Sequence, residues 1–273
     1  MTSRTGDEVD GSAPEGLAAL GSALRGDADQ EVCFEDLRKE KRARQPRILD
    51  MHLVPQTKLA DAAAAFPCLN PKYPVAWKQQ VRQLRNRLTR FDEEVQQREN
   101  RGVQIISIVS MSGQRSRHGL AANLGFALAA MDATKVLVID AKLGNPDLER
   151  LLCLSDARGL CDATRAQRED LPDCFRRISG TQLYLMPLGR TERFEIDAID
   201  LRGMQRLLEG LRQQFDWIVI DGPGFDTPAD ATAVTLCADG TIYLVEQGVD
   251  RFSDLRFALQ QTQGRYRIGA VMM

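Results

Sequence analysis

From residue 103 onward, short apolar runs alternate with segments of helical period. Residues 103–109, 135–139, 182–186, 217–220, 241–245 and 268–271 are nearly continuous in apolar side chains. Such runs suit strands covered on both faces, because a strand with one wet face alternates apolar with polar residues. Helical segments are predicted between them near 120–131, 147–152, 202–214, 229–237 and 252–262. Strands alternating with helices predict an α/β fold: a doubly wound, mainly parallel sheet with right-handed crossovers. In such sheets ligands sit beyond the carboxyl ends of the strands, where the strand order reverses.

Ahead of this core lies a segment of different rhythm. Trp77, Val81, Leu84, Leu88 and Phe91 recur at spacings of 4, 3, 4 and 3. That spacing places them on one stripe of an amphipathic helix over 76–91. Its other faces carry Lys78, Arg82, Arg85, Arg87 and Arg90, with no acidic residue before Asp92. Either the basic face is simply solvated while the stripe packs on the main domain, or it meets another subunit or a membrane surface.

Residues 1–36 show no sustained period and hold nine acidic against two basic side chains among many Gly, Ala and Ser. Too little apolar surface is available there to offset ordering, which predicts disorder. Residues 38–47 reverse the sign with a run of Arg and Lys. That run is either a solvated linker or a contact for anionic lipid headgroups. Pro55, Pro67, Pro71 and Pro74 then interrupt an alanine-rich connector. The expected organisation is a largely disordered arm and connector over 1–74 and one domain over 75–273.

Composition narrows the function classes. The chain has 273 residues, 36 basic and 38 acidic, for a net charge of −2. That balance argues for neither nucleic-acid nor membrane binding, and no specific nucleic-acid partner is expected. No run approaches the ~18 apolar residues of a membrane-spanning helix, and no secretory signal is legible at the start. Six cysteines without a C-x-x-C pair, and only His52 and His118, leave no readable zinc cluster. Reduced cysteines in a cytoplasmic protein are expected.

The candidate chemistry lies after the first long strand. Ser110-Met-Ser-Gly-Gln-Arg-Ser-Arg-His-Gly119 leads into the apolar segment Leu120-Ala-Ala-Asn-Leu. A polar loop between strand and helix is the layout of a phosphate-binding loop. There glycines admit backbone N–H groups to the phosphates, a lysine bridges them and a hydroxyl holds magnesium. Five further segments follow in order: Val136-Leu-Val-Ile-Asp140-Ala-Lys-Leu-Gly-Asn-Pro146, Gly159-Leu-Cys-Asp162, Leu183-Tyr-Leu-Met-Pro-Leu-Gly189, Phe215-Asp-Trp-Ile-Val-Ile-Asp221-Gly-Pro223 and Ala238-Asp-Gly-Thr-Ile-Tyr-Leu-Val245. They resemble "VLLIDADLRRP", "GLSD", "LYVLPAG", "YDYVIIDTPP" and "ADGVILVV" of the bacterial tyrosine kinases. Those kinases accompany chain-length regulators of exopolysaccharide and capsule export. They belong to the deviant Walker A branch of the P-loop NTPases, with the cell-division and partition ATPases.

The resemblance implies a nucleotide site at Gly113, Ser116, Arg117, His118 and Gly119, with ATP and magnesium as cofactors. It implies catalytic carboxylates at Asp140 and Asp221, the latter also a magnesium ligand. The family's subunit-contact motif E-x-x-R-x-x-R falls on Gln79, Arg82 and Arg85, which implies self-association through the helix at 76–91. The departures are many. Gln114 and Ser116 replace loop glycines, Arg117 the lysine, His118 the metal-binding hydroxyl and Gly119 the following threonine. Lys142 replaces the second acidic residue of "DAD", and methionine stands where an adenine-contacting asparagine ends the last strand. A tyrosine cluster is also lacking. Because phosphoryl transfer rests on positioning and charge around the phosphates, these changes together predict absent or very weak turnover.

The leading expectation is a pseudokinase that binds an inner-membrane polysaccharide chain-length or export protein. Its location would be cytoplasmic, peripheral at the inner face of the plasma membrane. The alternative is an active ATP-dependent tyrosine kinase or ATPase in which Arg117 serves for the lysine. A relative of the DNA-partition ATPases is the third reading.

Overall fold

The computed structural model describes residues 49–57, 75–99, 102, 104–111, 119–143, 148, 157–189, 201–262 and 266–272. The expected disordered arm at 1–36, the basic run at 38–47 and most of the helix near 147–152 lie outside the described residues.

Eight strands form one sheet in the order β1-β4-β5-β3-β6-β2-β7-β8. They are β1 (Gln56–Thr57), β2 (Ile105–Ser110), β3 (Val136–Asp140), β4 (Arg176–Ile178), β5 (Leu183–Met186), β6 (Trp217–Asp221), β7 (Gly240–Val245) and β8 (Tyr266–Met272). Neighbours pair in parallel except β4 with β5, which is antiparallel. The six long strands are those predicted from the apolar runs.

The helices are α1 (Val75–Glu99), α2 (Leu120–Ala129), α3 (Leu160–Ala163), α4 (Leu201–Leu211), α5 (Pro228–Cys237) and α6 (Phe252–Gln261), with a 3₁₀ turn at Arg168–Cys174. Alternate residues of each central strand feed opposite faces, which is why these strands are apolar throughout. Val136 and Val138 of β3 join a core with Val81 and Leu88 of α1 and Leu124 and Leu128 of α2. Leu137 and Ile139 join the opposite core with Met204, Leu208 and Leu211 of α4. The predicted doubly wound α/β architecture is therefore present.

Helix α1 is longer than the 76–91 expected, because Val95 extends the apolar stripe and is buried with Val81 and Leu88. Leu84 and Phe91 pack partly against the same core. Of the basic face, Arg82, Arg87 and Arg90 are exposed.

The short pieces gave no sequence signal. Strands β1 and β4 have two and three residues, too few for any period. Part of the expected connector packs on the domain: Leu49 is buried, its N–H donates to Gln214 Oε1 at 3.0 Å, and Gln214 Nε2 donates back to the Leu49 carbonyl. The side-chain amide thus satisfies both backbone polar groups of Leu49. Cys161, Cys174 and Cys237 are buried free thiols, and burial pushes the Cys174 thiol up to about 12.

Candidate functional site

Strands β3 and β6 lie side by side in parallel, with Asp140 directly opposite Asp221 at their carboxyl ends. The next strand across, β2, ends at Ser110. Its loop continues into 112–118, outside the described residues, so Gly113, Ser116, Arg117 and His118 are known here by sequence alone. Gly119 closes that loop ahead of α2 in the left-handed conformation, with φ 51° and ψ 53°. A side chain there is strained. The Gly119 carbonyl accepts both the backbone N–H and the side-chain Nδ2 of buried Asn123, each at 3.0 Å.

The two carboxylates have different surroundings. Asp140 is fully buried. Its Oδ1 accepts the Lys142 N–H at 3.0 Å and its Oδ2 the Leu148 N–H at 2.8 Å. Asp140 thereby staples the start of the following loop. Burial, with the Asp221 charge adding to it, pushes its carboxyl up to about 7 against the opposing pull of those two amides and the Lys142 ammonium. Asp221 faces that ammonium: Lys142 Nζ stands 2.9 Å from Asp221 Oδ1. The turn is fixed from a second side, since the Ala141 N–H donates to the Asp221 carbonyl at 2.9 Å. Where the resembled motifs place three carboxylates, this site has two carboxylates and one half-buried ammonium.

The fit of magnesium can be judged from these contacts. Magnesium wants near-octahedral oxygen ligands and holds several waters. Here one Asp221 oxygen is engaged by a cation and both Asp140 oxygens by backbone amides. Among the described residues no group of three or more His, Cys, Asp or Glu is arranged to hold a metal ion. The ion pair was not legible in sequence: Lys142 could be read as a charge change, but its partner depends on strand register.

Two glycine motifs prove to be one joint. The Leu160 N–H donates to the Pro187 carbonyl at 2.8 Å and the Cys161 N–H to the Leu188 carbonyl at 2.9 Å. A Cβ at Gly159 would lie 2.1 Å from the Pro187 oxygen, and one at Gly189 would lie 2.5 Å from Asp162 Oδ2. Asp162 Oδ2 also accepts the Gly159 N–H at 2.9 Å.

The positions that the resemblance implied for subunit contact lie on α1. Gln79 and Arg82 are exposed, whereas Arg85 is half-buried and donates to the Ala127 carbonyl at 3.5 Å at the end of α2. A cavity of about 700 Å³ opens elsewhere, near the amino ends of β3 and β5, beside Leu49, His52, Lys135, Glu169, Arg177 and Tyr184.

Comparison with known proteins agrees with this architecture. The succinoglycan biosynthesis transport protein ExoP of Rhizobium meliloti (strain 1021) is 28% identical over 147 residues, covering 53% of this chain and 18% of ExoP. The septum site-determining protein MinD of Synechocystis sp. is 34% identical over 125 residues, 44% of either chain. The chain thus spans less than half the length of these relatives. The BceF tyrosine kinase domain superposes with a TM-score of 0.59 at 21% identity, covering 86% of this chain and 96% of that one. At that identity the likeness is one of fold, and the resemblance to bacterial tyrosine kinases holds at that level. The family model described as cellulose biosynthesis protein BcsQ matches residues 103–265, from β2 to the threshold of β8, and the chain belongs to that family.

Proposed function

We propose that this chain is a non-catalytic or weakly active member of its family. It serves cellulose or a related exopolysaccharide, and acts by binding a membrane-embedded chain-length or export protein at the inner face of the plasma membrane. The family's description and the relation to ExoP support the polysaccharide setting. Among the described residues no helix is long and apolar enough to cross a membrane. The observation that carries the non-catalytic reading is the loop sequence. Gln114, Ser116, Arg117 and His118 stand where glycines, a lysine and a hydroxyl would cradle phosphate and magnesium. Losing several such groups at about 2–4 kcal/mol each removes most of a phosphoryl-transfer rate enhancement.

Isothermal titration with ATP, with and without magnesium, tests this. The expected result is no binding at millimolar nucleotide, alongside capture of the membrane protein in a pull-down from native membranes. Magnesium-dependent micromolar binding would overturn it. Asp140 and Asp221 are retained side by side, which keeps a second reading in view. Labelled-phosphate incorporation lost in both Asp140→Ala and Asp221→Ala would replace the pseudokinase with an atypical ATPase or kinase.

A further inference from the structure

We propose that the Lys142 ammonium is a resident cation standing where a divalent metal would neutralise Asp221, so that the site balances its charge from within the chain and takes up no divalent metal. Geometry carries this. Lys142 is anchored at both ends: its backbone N–H donates to Asp140 Oδ1 at 3.0 Å, and its Nζ lies 2.9 Å from Asp221 Oδ1. Lys142 therefore meets both carboxylates that the parallel register of β3 and β6 sets opposite each other, Asp140 through its backbone N–H and Asp221 through its ammonium. The pair is withdrawn from water, with side-chain exposures of 14% for Lys142 and 3% for Asp221. In such surroundings charges interact more strongly than at a wet surface.

A divalent ion bound to Asp221 would stand against this ammonium. It would have to displace it and force it into other contacts. An ammonium needs no octahedral ligand set, and its three N–H donors suit a carboxylate directly. The substitution at 142 thus does more than remove one acidic ligand: it supplies the replacement charge.

Manganese alone, titrated into the full chain and followed by electron paramagnetic resonance, tests the inference without nucleotide. The wild-type chain is expected to leave the free-manganese signal undiminished through the millimolar range. Lys142→Asp should gain one saturable site, tighter on the order of tenfold or more as repulsion becomes attraction, and adding Asp221→Asn should abolish it. Lys142→Met provides a second measurement should Lys142→Asp fail to fold: manganese should raise its melting temperature and leave that of wild type unchanged. Saturable wild-type binding that Asp221→Asn removes would overturn the proposal. So would folded Lys142 variants that gain no metal binding or metal-dependent melting, because Lys142 would then not be what excludes the ion. The inference is independent of the polysaccharide reading, since metal binding and partner capture are separate measurements that can fail separately.

Discussion

Asp140 and Asp239 are both buried carboxylates, and they respond to pH with opposite sign. The native Asp140 carboxyl holds its proton up to about 7, while an unfolded aspartate releases it at about 3.9. Between these values the native state binds more protons, so stability falls as pH rises through that window and levels off above it. Asp239 sits in a brace: Arg212 Nη1 donates to its Oδ2 at 2.7 Å, and the Ile105 and Gln104 N–H groups reach the same oxygen at 2.8 and 3.0 Å. Burial alone would raise this carboxyl, but the Arg212 guanidinium and the two amides outweigh it and hold it below its ordinary value. Its stabilisation is present above the unfolded value and is lost as pH falls through the native one. Denaturant melts from pH 4 to 8 should therefore lose their downward slope in Asp140→Asn. Asp239→Asn should cost about 3–5 kcal/mol at pH 7, as expected when one partner of a buried pair is removed. An unchanged slope in Asp140→Asn would show that Asp140 is not its source.

At the scale of elements, close approach decides more than propensity. The joint between the start of α3 and the segment after β5 leaves no room for a side chain at Gly159, where a Cβ would meet a backbone oxygen at 2.1 Å. Gly159→Ala should destabilise the chain by about 1–3 kcal/mol, read as a lower midpoint in urea with unchanged slope. Docking of α1 depends on its stripe rather than its charge. Leu88, 1% exposed, should cost about 2–5 kcal/mol when truncated to alanine. Substituting exposed Arg87 should change stability by less than about 0.5 kcal/mol. Equal effects of the two substitutions would contradict that division of the helix.

At the scale of the molecule, the expected association concerns the positions that the resemblance to bacterial tyrosine kinases implies for subunit contact. Gln79 stands where that resemblance implies a glutamate, and Arg85 donates within the chain to the Ala127 carbonyl. In the proposed non-catalytic role, pairing is uncoupled from ATP. A monomer, or a dimer indifferent to nucleotide, is expected in light scattering with and without ATP and magnesium. A dimer only in the presence of nucleotide would contradict this and revive a working site.

The sequence by itself determined the architecture and the address of the candidate site. Runs such as Val136-Leu-Val-Ile139 are apolar at every position, as a strand covered on both faces requires. Alternation with helices then leaves few topologies. Spacing alone likewise marked the α1 stripe, and motif order brought out Asp140, Asp221 and the altered loop. Only the tertiary structure decided which groups touch. Lys142 reaches Asp221, 79 positions away, because β3 and β6 are adjacent and in register. Gln214 holds Leu49 across 165 positions, and Gly159 meets Pro187 because two loops cross. Local pattern reports what a residue prefers to be near, apolar or wet, strand or helix. The identity of a partner distant in sequence is set by how the whole sheet is ordered, and no window of the chain contains that information.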